Sequence, residues 1–310
     1  MKTDMLQGRK ILVVGAAGFL GRAVTATLAG VGAHVAGLDI EVEPVPGAAE
    51  WHVVDLGSER IPEAALADAD CVIHLAWRNN PGRGNGFMEG DVITNVAASV
   101  RVFEQAARAG VRRILYASSG GTIYGKAPVP TPETAPIAPI GGYGAGKASA
   151  ELYLGATHHA TGVQVCTLRI ANPYGPGQLP NRGQGFIATA MARTILHQPI
   201  EIFGSLAISR DYVFVDDVAR AVALACADDR PSLVLNVGSG HDHSLEDMLA
   251  LIFRAVGHET EVIHTAGRPM DVSRMALDIA LIEAKLGWRP LIGMEEGLAA
   301  TVDWLTHRLH

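Results

Sequence analysis

Lys10-Ile-Leu-Val-Val-Gly15-Ala-Ala-Gly18-Phe-Leu-Gly21 is the stretch that decides the fold. Its opening, Lys10–Val14, reads as a strand: after Lys10 come four apolar residues in a continuous run, as a strand buried on both faces requires. Glycines follow at 15, 18 and 21, and Leu20, Val24 and Leu28 then recur at helical spacing over 18–29. A strand, a glycine turn and a helix in that order let the backbone close on a pyrophosphate. The free N–H groups of the helix N-terminus then point at it. Asp39 ends the second strand, 18 residues after Gly21. A carboxylate there accepts hydrogen bonds from the adenosine ribose and repels a 2′-phosphate, so the cofactor read from these residues is NAD rather than NADP. Asp55 and Leu56, after the third strand, are placed to flank the adenine; Asp55 is equally a turn residue.

Working outward, further strand-like runs fall at 34–38, 51–54, 71–75, 113–117 and 164–170. Helical patterns at 91–109 and 143–159 lie between them. That alternation predicts an α/β fold, a doubly wound parallel sheet of Rossmann type built from right-handed crossovers. Residues 126–142 carry five prolines and end in two glycines, so they read as a loop over the sheet. Residues 172–184 are turn-rich, and the remainder mixes short elements up to a helix over 295–308. The expected division is a dinucleotide-binding domain over 1–171, with sheet contributions from later segments, and a smaller substrate-binding lobe over 172–310.

Composition fits this. The chain has 310 residues, 48% hydrophobic and 18% charged, enough for a full core. Lys plus Arg number 25 and Asp plus Glu 32, a formal charge of −7. A mildly acidic chain offers no broad basic face, which argues against nucleic acid or an anionic membrane as partner. No apolar stretch reaches bilayer length and none resembles a signal peptide. Cys71, Cys166 and Cys226 have unrelated spacings in apolar surroundings, which suits core thiols in a reducing cytoplasm. His241-Asp-His243 supplies too few ligands for a metal, and none is expected.

Tyr143-Gly-Ala-Gly-Lys147 opens the second long helical pattern. Residues four apart share a helix face, so phenol and ammonium point the same way. A nearby cation favours the phenolate, which makes tyrosine a usable acid–base at neutral pH. Such a pair moves a carbinol proton while hydride passes to a nicotinamide ring.

With these in place the chain resembles the extended short-chain dehydrogenase/reductases, specifically the nucleotide-sugar epimerase/dehydratase family, over nearly its whole length. The markers are Gly15–Gly21, Asp39, His74-Leu75-Ala76-Trp77, Asn95, Ser118-Ser-Gly-Gly-Thr-Ile-Tyr124-Gly and Tyr143/Lys147. Arg169-Ile-Ala-Asn172-Pro-Tyr-Gly-Pro, Arg210-Asp-Tyr-Val-Phe-Val-Asp-Asp217, Asn236-Val-Gly-Ser and Leu286-Gly-Trp-Arg-Pro290 complete them. The resemblance implies that Tyr143 is the acid–base and that Lys147 binds the nicotinamide ribose and tunes it. It implies a cofactor site that adds Phe19, Leu20, Leu75, Ala76 and Asn95 to the glycines, Asp39, Asp55 and Leu56. Asn172, Arg210 and Arg268 then hold the sugar-nucleotide phosphates, guanidinium forks matching phosphate oxygens. A homodimer through the two long helices is implied as well.

The sequence departs from the pattern at several points. Gly120 stands where relatives carry Ser or Thr, so the hydroxyl that meets the reacting sugar oxygen must come from Ser119 or Thr122, with Thr122 preferred. Gly120-Gly121-Thr122 also lacks the carboxylates of dehydratases and decarboxylases. Trp77 occupies a strand-end position that is usually small, and either walls the pocket or packs. Gly146 replaces a Ser or Thr, without expected consequence. Loops around Arg83, Lys126 and Gln184 are candidates for reading the sugar. The resulting expectation is an NAD-dependent epimerase acting at C4 of a UDP-hexose or UDP-hexuronic acid. A nucleotide-sugar reductase or dehydrogenase, or a non-catalytic NAD-binding sensor, are the alternatives.

Overall fold

The computed structural model describes residues 5–78, 88–180, 185–230, 232–266 and 272–309. Seven parallel strands form the central sheet: β1 (Lys10–Val14), β2 (His34–Asp39), β3 (Glu50–Val53), β4 (Ala69–His74), β5 (Arg113–Ser119), β6 (Gln164–Ile170) and a late strand, Ser232–Val237. Their order across the sheet is β3-β2-β1-β4-β5-β6 followed by the late strand. The order reverses between β1 and β4, and a doubly wound sheet binds ligands beyond the strand C-termini at such a point.

Both faces of the sheet are covered. Ile11, Val13, Val35, Cys71, Ile73 and Leu115 lie in one buried cluster, their strand neighbours Leu12, Val14, Ala36, Val72 and Ile114 in another. Successive strand residues face opposite ways, so a run buried on both sides has no polar alternate. The helices Phe19–Gly30 and Val215–Ala227 pack together over the first face. Val102, Phe103, Ala106, Ala150 and Leu154 of the two long helices fill the second.

The first of those long helices differs from a regular 91–109 helix. It begins at Met88, passes through a π-helical turn at Val92–Val96, and continues as α-helix over Ala97–Arg108. The second spans Gly142–Thr161. Cys71, Cys166 and Cys226 are buried and free.

The later chain builds small sheets beside the strand C-termini. Their strands are β7 (Asn172–Tyr174), β8 (Ile200–Phe203), β9 (Ser209–Phe214), the late central strand as β10, β11 (Asp242–Ser244), β12 (Val262–Thr265) and β13 (Arg274–Met275). The opening of the 172–184 segment is therefore strand rather than turn. β9 is the hub, pairing with β7 and β13 in parallel and with β11 antiparallel. Buried Asp211 in β9 ties the lobe together, accepting N–H groups from Ser239, Gly240 and Leu277. Among the described residues no helix is long and apolar enough to cross a membrane.

Candidate active site

The C-terminal ends of β1, β2, β4, β5 and β6 open into one cavity of about 860 Å³. Gly15 has φ +88°, and a Cβ on it would meet the Ala76 nitrogen at 2.6 Å. A Cβ on Gly21 would meet the Gly15 carbonyl oxygen at 2.0 Å. Both glycines are thus required for the turn and for the helix to seat against it. Gly18 caps the helix Phe19–Gly30 without a side-chain bond, and no acidic residue occupies its first turn. Phe19 and Leu20 line the same cavity. Asp39 shapes this loop from the next strand: one carboxylate oxygen accepts the Ala17 N–H at 2.8 Å, the other the Ile40 N–H at 2.8 Å. The oxygen bonded to Ile40 also accepts the Glu41 N–H at 3.3 Å, and the oxygen bonded to Ala17 keeps a lone pair for a further donor.

Asp55, Leu56, Leu75, Ala76 and Asn95 all line the same cavity. Asp55 is both things the sequence allows. It accepts the Gly57 N–H at 2.8 Å as a turn residue, and it pairs with Arg78 at 2.7 Å. That N–H and then the guanidinium hold its carboxyl below the usual range. Arg78 was not singled out by sequence; its place directly after the β4 motif at a strand C-terminus is the signal that could have found it. Asn95 sits in the π-helical turn and is buried. Its Oδ1 accepts the Arg78 N–H at 2.7 Å while its Nδ2 donates to Asp91. π-helical turns are frequent at functional sites because they re-aim one side chain.

Tyr143 and Lys147 line the centre of the cavity from the first turns of the helix Gly142–Thr161. That helix approaches the β5 end closely, for a Cβ on Gly144 would lie 2.5 Å from the Thr122 carbonyl oxygen. The Lys147 ammonium is buried, donates to the Ala117 carbonyl at 2.8 Å, and lies 5.8 Å from the centre of the Tyr143 ring. Burial pulls its pKa down to about 7, opposed by the Glu151 charge. His74 is buried beside it, bonded to Ser99 at 2.9 Å, and burial followed by the Lys147 charge depresses it to about 3, so the ring is neutral.

Ser118, Ser119, Gly121 and Thr122 line the cavity. The hydroxyls of Ser118 and Thr122 are buried without a hydrogen-bond partner. Such orphaned groups are costly and mark places where a ligand or water is accommodated. Gly120 is buried and faces Leu277, not the cavity lining. Trp77 walls the cavity, its ring 6.0 Å from that of Tyr143. Gly146 faces Trp77, where a Cβ would approach Cζ2 to 3.0 Å.

The far end is built by the small sheets. Asn172 and Arg210 both line the cavity. Asn172 donates to the Asp211 carbonyl at 3.0 Å, and the Arg210 guanidinium is anchored on the carbonyls of Ser209 and Val272. Phe186, Phe203, Ile208, Tyr212 and Leu245 complete this end. Sequence reasoning did not reach these five, because their common site depends on how the short strands pair. Arg268, Arg83 and Gln184 lie outside the described residues, and Lys126 is not among those lining the cavity. Among the described residues no three metal-binding side chains gather.

The groups present suit a dinucleotide. The Gly15 and Gly21 positions form a cradle that any side chain would fill, the helix N-terminus offers uncapped N–H groups, and Asp39 supplies acceptors where a ribose diol would lie.

Residues 11–238 match the sequence profile of the NAD dependent epimerase/dehydratase family. The UDP-glucose 4-epimerase of Mycolicibacterium smegmatis is 33% identical over 313 residues, covering 96% of this chain and 99% of the relative. The crystal structure of a UDP-glucose 4-epimerase from Thermotoga maritima with UDP-glucose superposes with a TM-score of 0.90 at 32% identity, covering 97% of this chain and 100% of that one. A structure of MoeE5 in complex with UDP-glucuronic acid and NAD gives 0.89 at 31% identity with the same coverage.

Proposed function

The chain belongs to the NAD-dependent epimerase/dehydratase family, and from that premise we propose that it inverts C4 of a UDP-hexose or UDP-hexuronic acid through a 4-keto sugar. The observation that carries this reading is the placement of Tyr143 and the buried Lys147 together in the cavity that also holds the glycine turn and Arg210. The relatives named for 4-epimerisation support the position of the reaction, and those bound to UDP-sugars support the substrate class.

NAD, when bound, would supply the hydride acceptor and donor for C4. The residues of the chain do the rest. Gly15, Gly18 and Gly21 with the helix N-terminus hold the pyrophosphate, and Asp39 holds the adenosine ribose. Phe19, Leu20, Asp55, Leu56, Leu75, Ala76 and Asn95 bound the remainder of the cofactor. Tyr143 removes the C4 hydroxyl proton and gives it back after the keto sugar has turned over. Lys147 favours the phenolate by its charge and holds the nicotinamide ribose. Thr122, with Ser119 beside it, supplies the hydroxyl that meets the C4 oxygen. Asn172 and Arg210 hold the sugar-nucleotide diphosphate, with Arg268 as the second clamp. The nucleotide end gives binding that is independent of C4 configuration, as two nearly equivalent substrates require.

Val92 and Ile93 on one long helix and Leu152 and Tyr153 on the other are all more than half exposed. Those helices pack side by side. This apolar face supports a homodimer formed by pairing it with its counterpart. The three buried thiols suit a reducing compartment, the cytoplasm.

The test is Tyr143→Phe. The variant should retain NAD as well as the parent and lose interconversion of the two C4 epimers by at least about a thousandfold. Undiminished interconversion would remove Tyr143 from the chemistry.

A further inference from the structure

An ammonium has three hydrogens to give, and Lys147 is 4% exposed with, among the described residues, one hydrogen bond, to the Ala117 carbonyl. Glu151, one turn on, favours the cation but is itself paired with Arg169 at 2.7 Å. Aromatic faces surround the charge instead. Its nitrogen lies 4.3 Å from the Trp77 ring centre, 5.1 Å from Tyr116 and 5.8 Å from Tyr143. Indole is the strongest of the three rings for a cation, and here it is also the nearest.

Trp77 packs against a glycine of the facing helix. A Cβ on Gly146 would come within 3.0 Å of Trp77 Cζ2 and 3.4 Å of Cη2. Glycine inside a helix is unfavourable relative to alanine, so a glycine here needs a reason. For Gly144 the reason is the Thr122 carbonyl; for Gly146 it is the indole. The large side chain at 77 and the absent one at 146 therefore meet in one contact.

We propose that Trp77 and Gly146 are a matched pair that positions the Lys147 ammonium: the indole gives it a face to rest on, and the missing Cβ admits the indole. Trp77 is on this account a positioning residue, acting through Lys147. The inference rests on the reading that Lys147 serves the cofactor and Tyr143.

A double-mutant cycle decides it, using Trp77→Ala, Gly146→Ser and both together, with Trp77→Phe as the conservative variant. NADH affinity is measured by fluorescence titration of protein freed of bound NAD, without any sugar. The kcat and KM are measured with whichever UDP-sugar the parent turns over. In the parent background Gly146→Ser should weaken NADH binding and lower kcat by about tenfold each, with KM moved far less. In the Trp77→Ala background the same change should matter less than about twofold, and Trp77→Phe should stay within about threefold of the parent. Should Gly146→Ser fail to fold, Gly146→Ala makes the 3.0 Å contact alone and takes its place in the cycle. Effects that multiply independently, or a Trp77→Ala variant with parental NADH affinity and kcat, would overturn the proposal. A parent that turns over no UDP-sugar would defeat the functional reading, while the NADH cycle would still decide the Trp77–Gly146 pairing.

Discussion

Gly120 and Leu277 are packed so closely that a Cβ on Gly120 would lie 2.5 Å from Leu277 Cδ1, and 3.0 Å from the Arg169 carbonyl oxygen. The glycine at this place in the serine-rich strand end is therefore matched to a leucine from a distant segment. Restoring a serine should not add a catalytic hydroxyl. Gly120→Ser should cost about 1–3 kcal/mol by overpacking, read as a lower denaturation midpoint, and Leu277→Ala should relieve most of it. Higher turnover in Gly120→Ser would contradict this placement.

Thr122 is the corresponding positive case, with a buried hydroxyl that has no partner and a place in the cavity lining. Thr122→Val keeps the shape and removes the oxygen. It should lower kcat by about ten- to a hundredfold and leave the melting temperature nearly unchanged. Kinetics beside a thermal scan check both halves.

The buried ammonium has a stability signature. Lys147 falls from an ordinary value of 10.5 to about 7 because burial disfavours its charge. Below pH 7 folded and unfolded chains are both charged, and the folded state bears the full burial cost. Between 7 and 10.5 the unfolded chain holds a proton the folded one has released, so this group makes stability rise with pH. Lys147→Met should flatten that rise and raise the nucleotide-free melting temperature at pH 7 by a few degrees, while abolishing turnover. Denaturant midpoints at pH 7, 8 and 9 for both proteins test it; parallel slopes would refute it.

Asp39 holds the glycine turn through the Ala17 N–H and offers acceptors beyond it. Asp39→Ala should weaken NADH binding about ten- to a hundredfold and narrow the preference over NADPH. Fluorescence titration with both nucleotides measures each effect.

Glu151 and Arg169 form a pair whose side chains are each 6% exposed, and Arg169 also donates to Tyr124 and to the Glu133 carbonyl. Removing one partner leaves the other charge buried. Glu151→Ala should lower stability by about 3 kcal/mol in denaturant unfolding.

These cases divide what the sequence discloses from what it does not. The strand Lys10–Val14 can be delimited from its apolar run, since a strand buried on both faces has no polar interruption, whereas Gln164–Ile170 carries the buried Thr167 and Arg169 and is marked by its β-branched residues and its place in the alternation. The glycine turn, Asp39 and Tyr143/Lys147 are local motifs, and the parallel sheet brings strand ends together by its own rule. The Gly120–Leu277 contact, the Trp77–Gly146 contact and the lining by Phe186, Ile208 and Leu245 are of another kind. They depend on how segments remote in the chain pack, and no spacing within one segment encodes that. The π-helical turn at Asn95 is hidden for another reason: Val92–Val96 is one short turn inside a helical pattern, and its residue types do not set it apart from α-helix.

The most direct test of the account is product analysis without added cofactor. Purified protein would be incubated with UDP-hexoses and UDP-hexuronic acids and the mixtures resolved by chromatography and proton NMR. The account predicts an equal-mass C4 stereoisomer, formed to equilibrium from either side with no NAD supplied and no net change in NADH absorbance. Turnover that occurs only with stoichiometric NAD or NADH, giving an oxidised or reduced sugar, would contradict it.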